Sequence, residues 1–250
     1  MRRVASNKLF YNKYKYHLST VLGLAGIFRN KNLDYVRKTL DVVRLHLETD
    51  TVPKNPHQTK PYLPRWIEKG IYNEDPHPDD FLTDPVTFKL QDHVEAMAVY
   101  QALLTNPDST VRVEYPNRLG IYSNDKEWLE SIIPKVTAIE FHEPTEKFSE
   151  MLDENPHVML TVQKEYKYKI LFKGYSANPN SYPEFATWCK NNKDKIRITD
   201  QSISHLEKKY NMEGRYFFIK DDKTLTLINL MIGSQLGRVY RLINKAEIDK

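Results

Sequence analysis

Lysine and arginine alternate with aromatic residues in short segments near both ends of the chain. The candidate binding residues in these segments are Lys13, Tyr14, Lys15, Tyr16, Tyr166, Lys167, Tyr168, Lys169, Lys173, Arg215, Tyr216, Phe218, Lys220, Arg238 and Arg241. Aromatic rings stack on unpaired bases and cations follow the phosphates, so this combination is typical of single-stranded nucleic-acid binding.

These residues divide by chemistry into two groups. The phosphate-binding candidates are Lys13, Lys15, Lys167, Lys169, Lys173, Arg215, Lys220, Arg238 and Arg241, and the stacking candidates are Tyr14, Tyr16, Tyr166, Tyr168, Tyr216 and Phe218. Side chains of a strand alternate between two faces, so only one face of each segment can contribute. The same pattern also describes an ordinary half-buried sheet whose polar face meets water, and this alternative stays open.

The net charge of +4 conceals a segregation of charge along the chain. Residues 1–50 carry a net +6, residues 51–150 carry −7 and residues 151–250 carry +5. Two basic ends therefore flank an acidic middle, which is compatible with nucleic-acid binding by the ends.

The periodicity of apolar residues predicts an α+β fold, with mixed or antiparallel sheets, interleaved helices and room for two lobes. Strands are predicted near residues 14–19, 111–115, 119–121, 136–141, 158–162, 167–172, 196–198, 216–220 and 238–243. Helices are predicted near residues 32–48, 92–104, 125–133, 146–152, 182–191, 202–210 and 225–232. The pattern of 225–232 fits either type, and a helix is favoured because Gly233 can cap it.

Composition divides the chain into four segments. They are a basic N-terminal strand and helix at 1–50, a proline-rich arm at 51–91, an acidic α/β segment at 92–155 and a basic, aromatic-rich α/β segment at 156–250. Half of the 14 prolines fall within 51–87, so regular structure cannot run far there. We expect an ordered arm that wraps onto the protein, and folding on a partner is the competing interpretation.

Common catalytic and cofactor signatures are absent from the sequence. It contains neither a Gly-x-x-x-x-Gly-Lys phosphate loop nor a Gly-x-Gly-x-x-Gly turn, and its histidines are dispersed. The single cysteine, Cys189, cannot form an internal disulfide or a cysteine-built zinc site. We therefore predict no catalytic residues, no metal and no cofactor.

A metal-dependent nuclease is the best enzymatic alternative. Glu165 and Lys167 form a Glu-x-Lys pattern after an upstream Asp153, an order that can hold magnesium and orient a water molecule. Glu207 and Lys209 repeat the pattern on a predicted helix, which shows that a lysine-rich chain produces it by chance.

The sequence gives no indication of a membrane. The longest apolar run, residues 21–28, is far shorter than the roughly 20 residues that span a bilayer. The N-terminus lacks the pattern of a secretory signal. The prediction is a cytoplasmic protein, in the host cytoplasm if it is viral.

Two stretches of the C-terminal third resemble known proteins. They are Tyr166–Gly174, followed by Phe185, Trp188 and Lys195–Ile198, and Phe218–Asp221, followed by Thr224–Leu227 and Gly237–Val239. The residue pattern of these stretches is similar to that of Drc-type single-stranded DNA-binding transcription regulators, which occur in bacteriophages that carry a giant virion RNA polymerase. The resemblance implies single-stranded DNA binding that recruits or stimulates a phage RNA polymerase, and it transfers no site residues.

A second, weaker likeness concerns the strand 215–219, which resembles the aromatic strand of RNA-recognition motifs, with 169–172 as its partner strand. The glycine expected after the basic residue instead precedes it as Gly214, so the chain is not assigned to that family.

The resulting hypothesis is a non-enzymatic protein that binds single-stranded nucleic acid in phage transcription or replication, with DNA favoured over RNA. The expected partners are single-stranded DNA or RNA and a phage RNA polymerase, with no membrane and with the oligomeric state open. The alternatives are the nuclease and a host-factor-binding inhibitor or assembly protein that docks through 51–87.

Overall fold

The computed structural model describes residues 1–29, 31–49, 89–115, 117–162, 164–174 and 179–248. They divide into two compact units, Met1–Pro144 and Thr145–Lys250. The described residues form eight α-helices and two five-stranded sheets of mixed direction, so the predicted α+β class is confirmed. The predicted arm at 51–87 lies outside the described residues.

The described residues of the first unit form five strands and three helices. In chain order they are β1 (Arg2–Ala5), β2 (Tyr16–Val21), α1 (Leu33–Thr49), α2 (Leu90–Thr105), β3 (Thr110–Tyr115), β4 (Arg118–Ser123), α3 (Lys126–Ile132) and β5 (Thr137–Glu143). The sheet order is β1-β5-β2-β4-β3, in which β1 and β5 are parallel and the other pairs antiparallel.

The second unit contains five more strands and five helices. They are α4 (Glu146–Glu154), β6 (Val158–Thr161), β7 (Tyr168–Phe172), α5 (Tyr182–Asn191), β8 (Ile196–Arg197), α6 (Asp200–Glu207), β9 (Tyr216–Ile219), α7 (Asp222–Ile232), β10 (Leu236–Asn244) and α8 (Lys245–Ile248). The sheet order is β6-β10-β7-β9-β8, with β6 and β10 parallel and the other pairs antiparallel.

The two sheets have the same topology. When five is subtracted from each strand number of the second sheet, its order becomes that of the first, and the parallel pair occupies the same edge. Within each unit the last four strands have the spatial order of the split βαβ, ferredoxin-like arrangement, and the first strand adds an edge. In the second unit helix α6 separates β8 from β9, so only the first unit joins the corresponding two strands directly. The chain therefore contains the same sheet plan twice.

Each sheet buries one face against its helices. In the first unit the core includes Leu18 of β2 and Phe141 of β5, packed with Val36 and Leu40 of α1 and Val99 of α2. The helix predicted near residues 32–48 is confirmed as α1, and its apolar residues, including Val43, face inward.

The core of the second unit has the same construction. Ile170 of β7 and Phe217 of β9 are fully buried with Phe185 of α5, Leu206 of α6 and Ile228 of α7. The opposite faces of the two sheets carry polar and aromatic residues.

The helix at 225–232 is confirmed and ends at Ile232, as predicted, with Gly233 at its C-cap. Gly233 has a φ of −54° and so does not form a left-handed cap; the chain continues into a 3-10 turn at Gly233–Gln235. The start of α7 decides its conformation, because the Asp221 side chain accepts a hydrogen bond of 2.7 Å from the backbone N–H of Thr224. The sequence patterns missed β1 and α8.

No helix within the part of the chain that the structure describes is long and apolar enough to cross a membrane.

Candidate nucleic-acid interface

The candidate interface is the face of the second sheet that points away from its core. Pairing register assigns residues to this face, since directly opposed residues of neighbouring strands share a side. Arg197 opposes Phe218, Phe218 opposes Lys169 and Lys169 opposes Tyr240, so these four residues form one row across β8, β9, β7 and β10. We call this side the open face.

A second row lies beside the first. Tyr216 opposes Leu171 on the same side of the sheet, because each is two residues from a member of the first row. Tyr216 is 43% exposed, and Phe218 and Leu171 are half-buried. The strand positions that face this side carry no aspartate or glutamate.

Aromatic rings cluster on the open face. The rings of Tyr216 and Phe218 lie 5.4 Å apart, edge to face, and the ring of Tyr166 lies 5.7 Å from that of Phe218. The ammonium of Lys169 is 3.9 Å from the centroid of the Tyr216 ring and 5.8 Å from that of Phe218. A cation is thus held against the same rings that are available for stacking.

The exposed part of the open face ends at β10. Tyr240 is buried, and its hydroxyl accepts a hydrogen bond of 2.9 Å from the exposed guanidinium of Arg238. A bulge between Leu236 and Val239 brings Arg238 to this side. Gly237 permits the bulge, because a Cβ there would lie 3.1 Å from the backbone oxygen of Leu171.

The structure corrects the predicted roles of Lys167 and Tyr168. The Lys167 ammonium and the Tyr168 hydroxyl both donate hydrogen bonds to the carboxylate of Asp222. This carboxylate lies at the start of α7, on the core side of the sheet. This ion pair raises the pKa of Lys167 and lowers that of Asp222. Lys167 and Tyr168 therefore tie β7 to a helix, and Lys169 is the residue of this run that faces outward.

Arg215 and Arg241 are also corrected. The guanidinium of Arg215 lies 3.0 Å from the ring nitrogen Nε2 of His205 on α6, so it points toward the helices. Arg241 is exposed but pairs in register with Tyr168, which places it on the side opposite to Lys169. Alternation within a strand separates Arg241 from Tyr240 and the open face.

Lys173 and Lys220 lie just beyond strand ends and are exposed. The ammonium of Lys173 donates a hydrogen bond of 2.9 Å to the backbone oxygen of Ser234. Neither residue belongs to the rows of the open face, although both remain at the rim of the sheet.

The predicted N-terminal residues do not form a stacking surface. Tyr14 is 7% exposed, and Tyr16 packs on the first core with its ring stacked near that of Phe141. The prediction that these tyrosines stack on bases is therefore corrected, because Tyr14 is buried ahead of β2 and Tyr16 lies on the core side of β2. Lys13 is exposed and Lys15 is half-buried, so Lys13 alone stays fully available as a cation.

The corresponding face of the first sheet carries a cluster of titratable side chains. The ring of His17 on β2 stacks between those of Tyr122 on β4, at 4.4 Å, and His142 on β5, at 5.0 Å. Glu114 accepts a hydrogen bond of 2.6 Å from the Tyr122 hydroxyl, and its Oε1 lies 3.4 Å from Nε2 of His17. Phe10 covers the cluster, with its ring 5.0 Å from that of His17.

The cluster shifts the pKa values of its members. Contact with His17, followed by the hydrogen bond from Tyr122, lowers the pKa of Glu114 to about 2 against the opposing effect of burial. Burial lowers the pKa of His142, although Glu140 lies 3.0 Å from its Nε2 and opposes the shift. The sequence separation of His17 and His142 concealed this pair, which meets only through the register of β2 and β5.

The nuclease pattern takes a different form in the structure. Strand β7 begins at Tyr168, so Glu165 lies in the preceding bend, and Lys167 is bonded to Asp222 instead. Among the described residues, no group of three or more histidine, cysteine or acidic side chains is placed to hold a metal ion. Cys189 is buried on α5, and burial raises the pKa of its thiol to about 12.

Arg197 is the member of the open face that sequence reasoning missed. Its strand has two residues, and the aromatic residue beside it is Phe218 from another strand, so no local alternation marked it. The surface that results contains Tyr166, Lys169, Arg197, Tyr216, Phe218 and Arg238.

No family model, no curated protein and no solved structure matches the chain.

Proposed function

We propose that this protein binds single-stranded nucleic acid, DNA in preference to RNA, on the open face of its second sheet. The single observation that carries the proposal is the pair of outward rings, Tyr216 and Phe218, beside Lys169 on the neighbouring central strand. Unpaired bases stack on aromatic side chains at about 1–3 kcal/mol per base, and nearby cations neutralise the phosphates.

The position of these rings within the sheet supports the proposal. In RNA-recognition motifs a four-stranded sheet presents aromatic side chains on two strands to unpaired bases. Here Tyr216 and Phe218 occupy alternate positions of β9, which pairs with β7 inside the sheet. This protein and the RNA-recognition motifs thus share outward aromatic side chains on a sheet face, and they do not share the glycine pattern of the sequence.

The cations are arranged around the rings. Arg197 flanks Phe218 on one side and Lys169 lies on the other. Arg238 lies beside Tyr240 on β10. A strand of nucleic acid that stacks on the rings would have positive charge along both borders. Lys169 would move from the Tyr216 ring to a phosphate when a base takes its place.

The biological setting of the proposal comes from the resemblance to Drc-type phage regulators. It supports binding of exposed single-stranded template in phage transcription or replication, with a phage RNA polymerase as the protein partner. The same proposal places the protein in the host cytoplasm.

Fluorescence anisotropy with matched single-stranded DNA, single-stranded RNA and duplex DNA at 2 salt concentrations tests the proposal. If Lys169, Arg197 and Arg238 each neutralise one phosphate, the slope of log K against log salt is about −2 for a single strand. Affinity then falls by about 20-fold between roughly 50 and 200 mM salt. Duplex should bind more weakly, because its bases are not available for stacking. An unchanged anisotropy with both single strands at low salt would remove the proposal.

A further inference from the structure

A cavity of about 530 Å³ in the first unit is bordered by cations on several sides. Lys13, Arg29, Lys31 and Arg112 line it, together with Tyr11 and Thr110. Among the residues that the structure describes, no aspartate or glutamate lines this cavity. Four positive groups around one volume repel one another, and an anion that enters relieves that repulsion.

The positions of the cations are fixed by local contacts. The guanidinium of Arg112 donates a hydrogen bond of 3.1 Å to the Tyr11 hydroxyl, and this contact raises the pKa of Arg112. The ammonium of Lys31 donates a hydrogen bond of 3.1 Å to the hydroxyl of Thr110. These neutral partners orient the cations without cancelling their charge, so each keeps donors for a ligand.

The chain turns tightly to bring Lys13 to the cavity. Tyr11 and Asn12 have φ values of 51° and 55°, and the N–H of Lys13 donates to the backbone oxygen of Phe10 at 3.0 Å. Lys31 has a φ of 61°, another left-handed conformation that is unfavourable for a residue of this type. Two segments thus adopt costly backbone conformations next to the same cavity.

The nearest acid on the strand is already engaged. Glu114 follows Arg112 by two residues on β3, but its carboxylate accepts the Tyr122 hydroxyl and contacts His17. Strand β3 is also an edge strand, so one side of its backbone is not paired within the sheet. Backbone N–H groups are common donors to phosphate oxygens.

We infer that this cavity binds a ligand that bears two or three linked phosphates, such as the triphosphate of a nucleotide. The volume lies within the range of small-molecule sites, about 300–1,000 Å³. Tyr11 is 50% exposed at the rim and offers an aromatic surface beside the cations. The site is separate from the open face of the second sheet, and neither proposal depends on the other.

Isothermal titration of the full chain with tripolyphosphate and with ATP, both without metal, tests the inference. We expect binding of both probes, with tighter binding of ATP if Tyr11 contacts the base. Lys31→Asn removes a cation and keeps a residue type that tolerates a left-handed backbone. Lys31→Asn and Arg112→Gln should each weaken tripolyphosphate about tenfold, which corresponds to about 1.4 kcal/mol.

The matched control is Lys135→Gln, which removes an exposed cation of the same unit that does not line the cavity. It should leave the affinity for tripolyphosphate unchanged. Absence of binding by both probes, or equal weakening in the control, would overturn the inference. A chain that binds oligonucleotide but neither probe would also overturn it, and would leave the function of the open face intact. Phe218→Ala should not change the titration.

Discussion

At the scale of single residues, Glu114 has the largest pKa shift among the carboxyl groups of the first unit that the structure describes. Its pKa falls from 4.5 to about 2 through His17 and Tyr122, so the folded state holds the ionised form more firmly than the unfolded chain does. Such a group stabilises the fold above the unfolded pKa, and that contribution is lost as the pH falls from about 4.5 toward 2. His142 acts in the same direction, because its lowered pKa favours the neutral form.

Glu114→Gln is therefore expected to lower the free energy of unfolding by roughly 1–2 kcal/mol at pH 7, since Tyr122 and His17 lose a charged partner. The difference from the natural protein should shrink as the pH falls from about 4.5 toward 2, because Glu114 is protonated first in the unfolded chain and only near pH 2 in the folded protein. Urea unfolding at several pH values measures it. Glu48→Gln, at an exposed carboxylate of the same unit, is the control and should change little. A difference that stays constant with pH would contradict the assignment.

At the scale of elements, β7 shows how one strand divides its lysines between two tasks. Lys167 is bonded to Asp222 on the helix side, and Lys169 lies on the rings of the open face. The two residues are close in sequence and carry the same charge, so they form a matched pair for experiment.

Lys169→Gln should weaken binding of a single-stranded oligonucleotide several-fold, because it removes a cation from the stacking surface. Lys167→Gln should leave the affinity nearly unchanged and change stability little, because exposed ion pairs are only weakly stabilising. Anisotropy titrations of the two variants under one salt condition give the comparison. Equal losses of affinity would show that the face assignment of β7 is wrong.

The same scale shows what sequence could provide. Local periodicity located most of the strands and helices, because alternation and the helical repeat are properties of neighbouring residues. It could not show that Tyr14 is buried or that Tyr16 lies on the core side of β2, so both were named as stacking candidates. Pairing between distant strands brought Arg197 beside Phe218 and His17 beside His142. No local pattern contains that information.

At the scale of the whole molecule, the chain uses one sheet plan twice for two surfaces of different character. The outward face of the second sheet is aromatic and basic, whereas the corresponding face of the first holds histidines and carboxylates under Phe10. In the first unit four cations instead line the cavity beside the edge strand β3, Arg112 among them. The segregated charge of the sequence thus corresponds to two separate candidate sites for phosphate.

The most direct test of the open face compares Tyr216→Ala with Tyr210→Ala in single-stranded DNA binding. Both tyrosines are exposed, at 43% and 54%, and each has a lysine near its ring, but Tyr210 lies outside the sheet. Loss of one stacked base at Tyr216 should weaken binding by about 1–3 kcal/mol, or roughly 5- to 150-fold, while Tyr210→Ala leaves it unchanged. Equal affinities for the two variants would contradict the central claim that bases stack on this face.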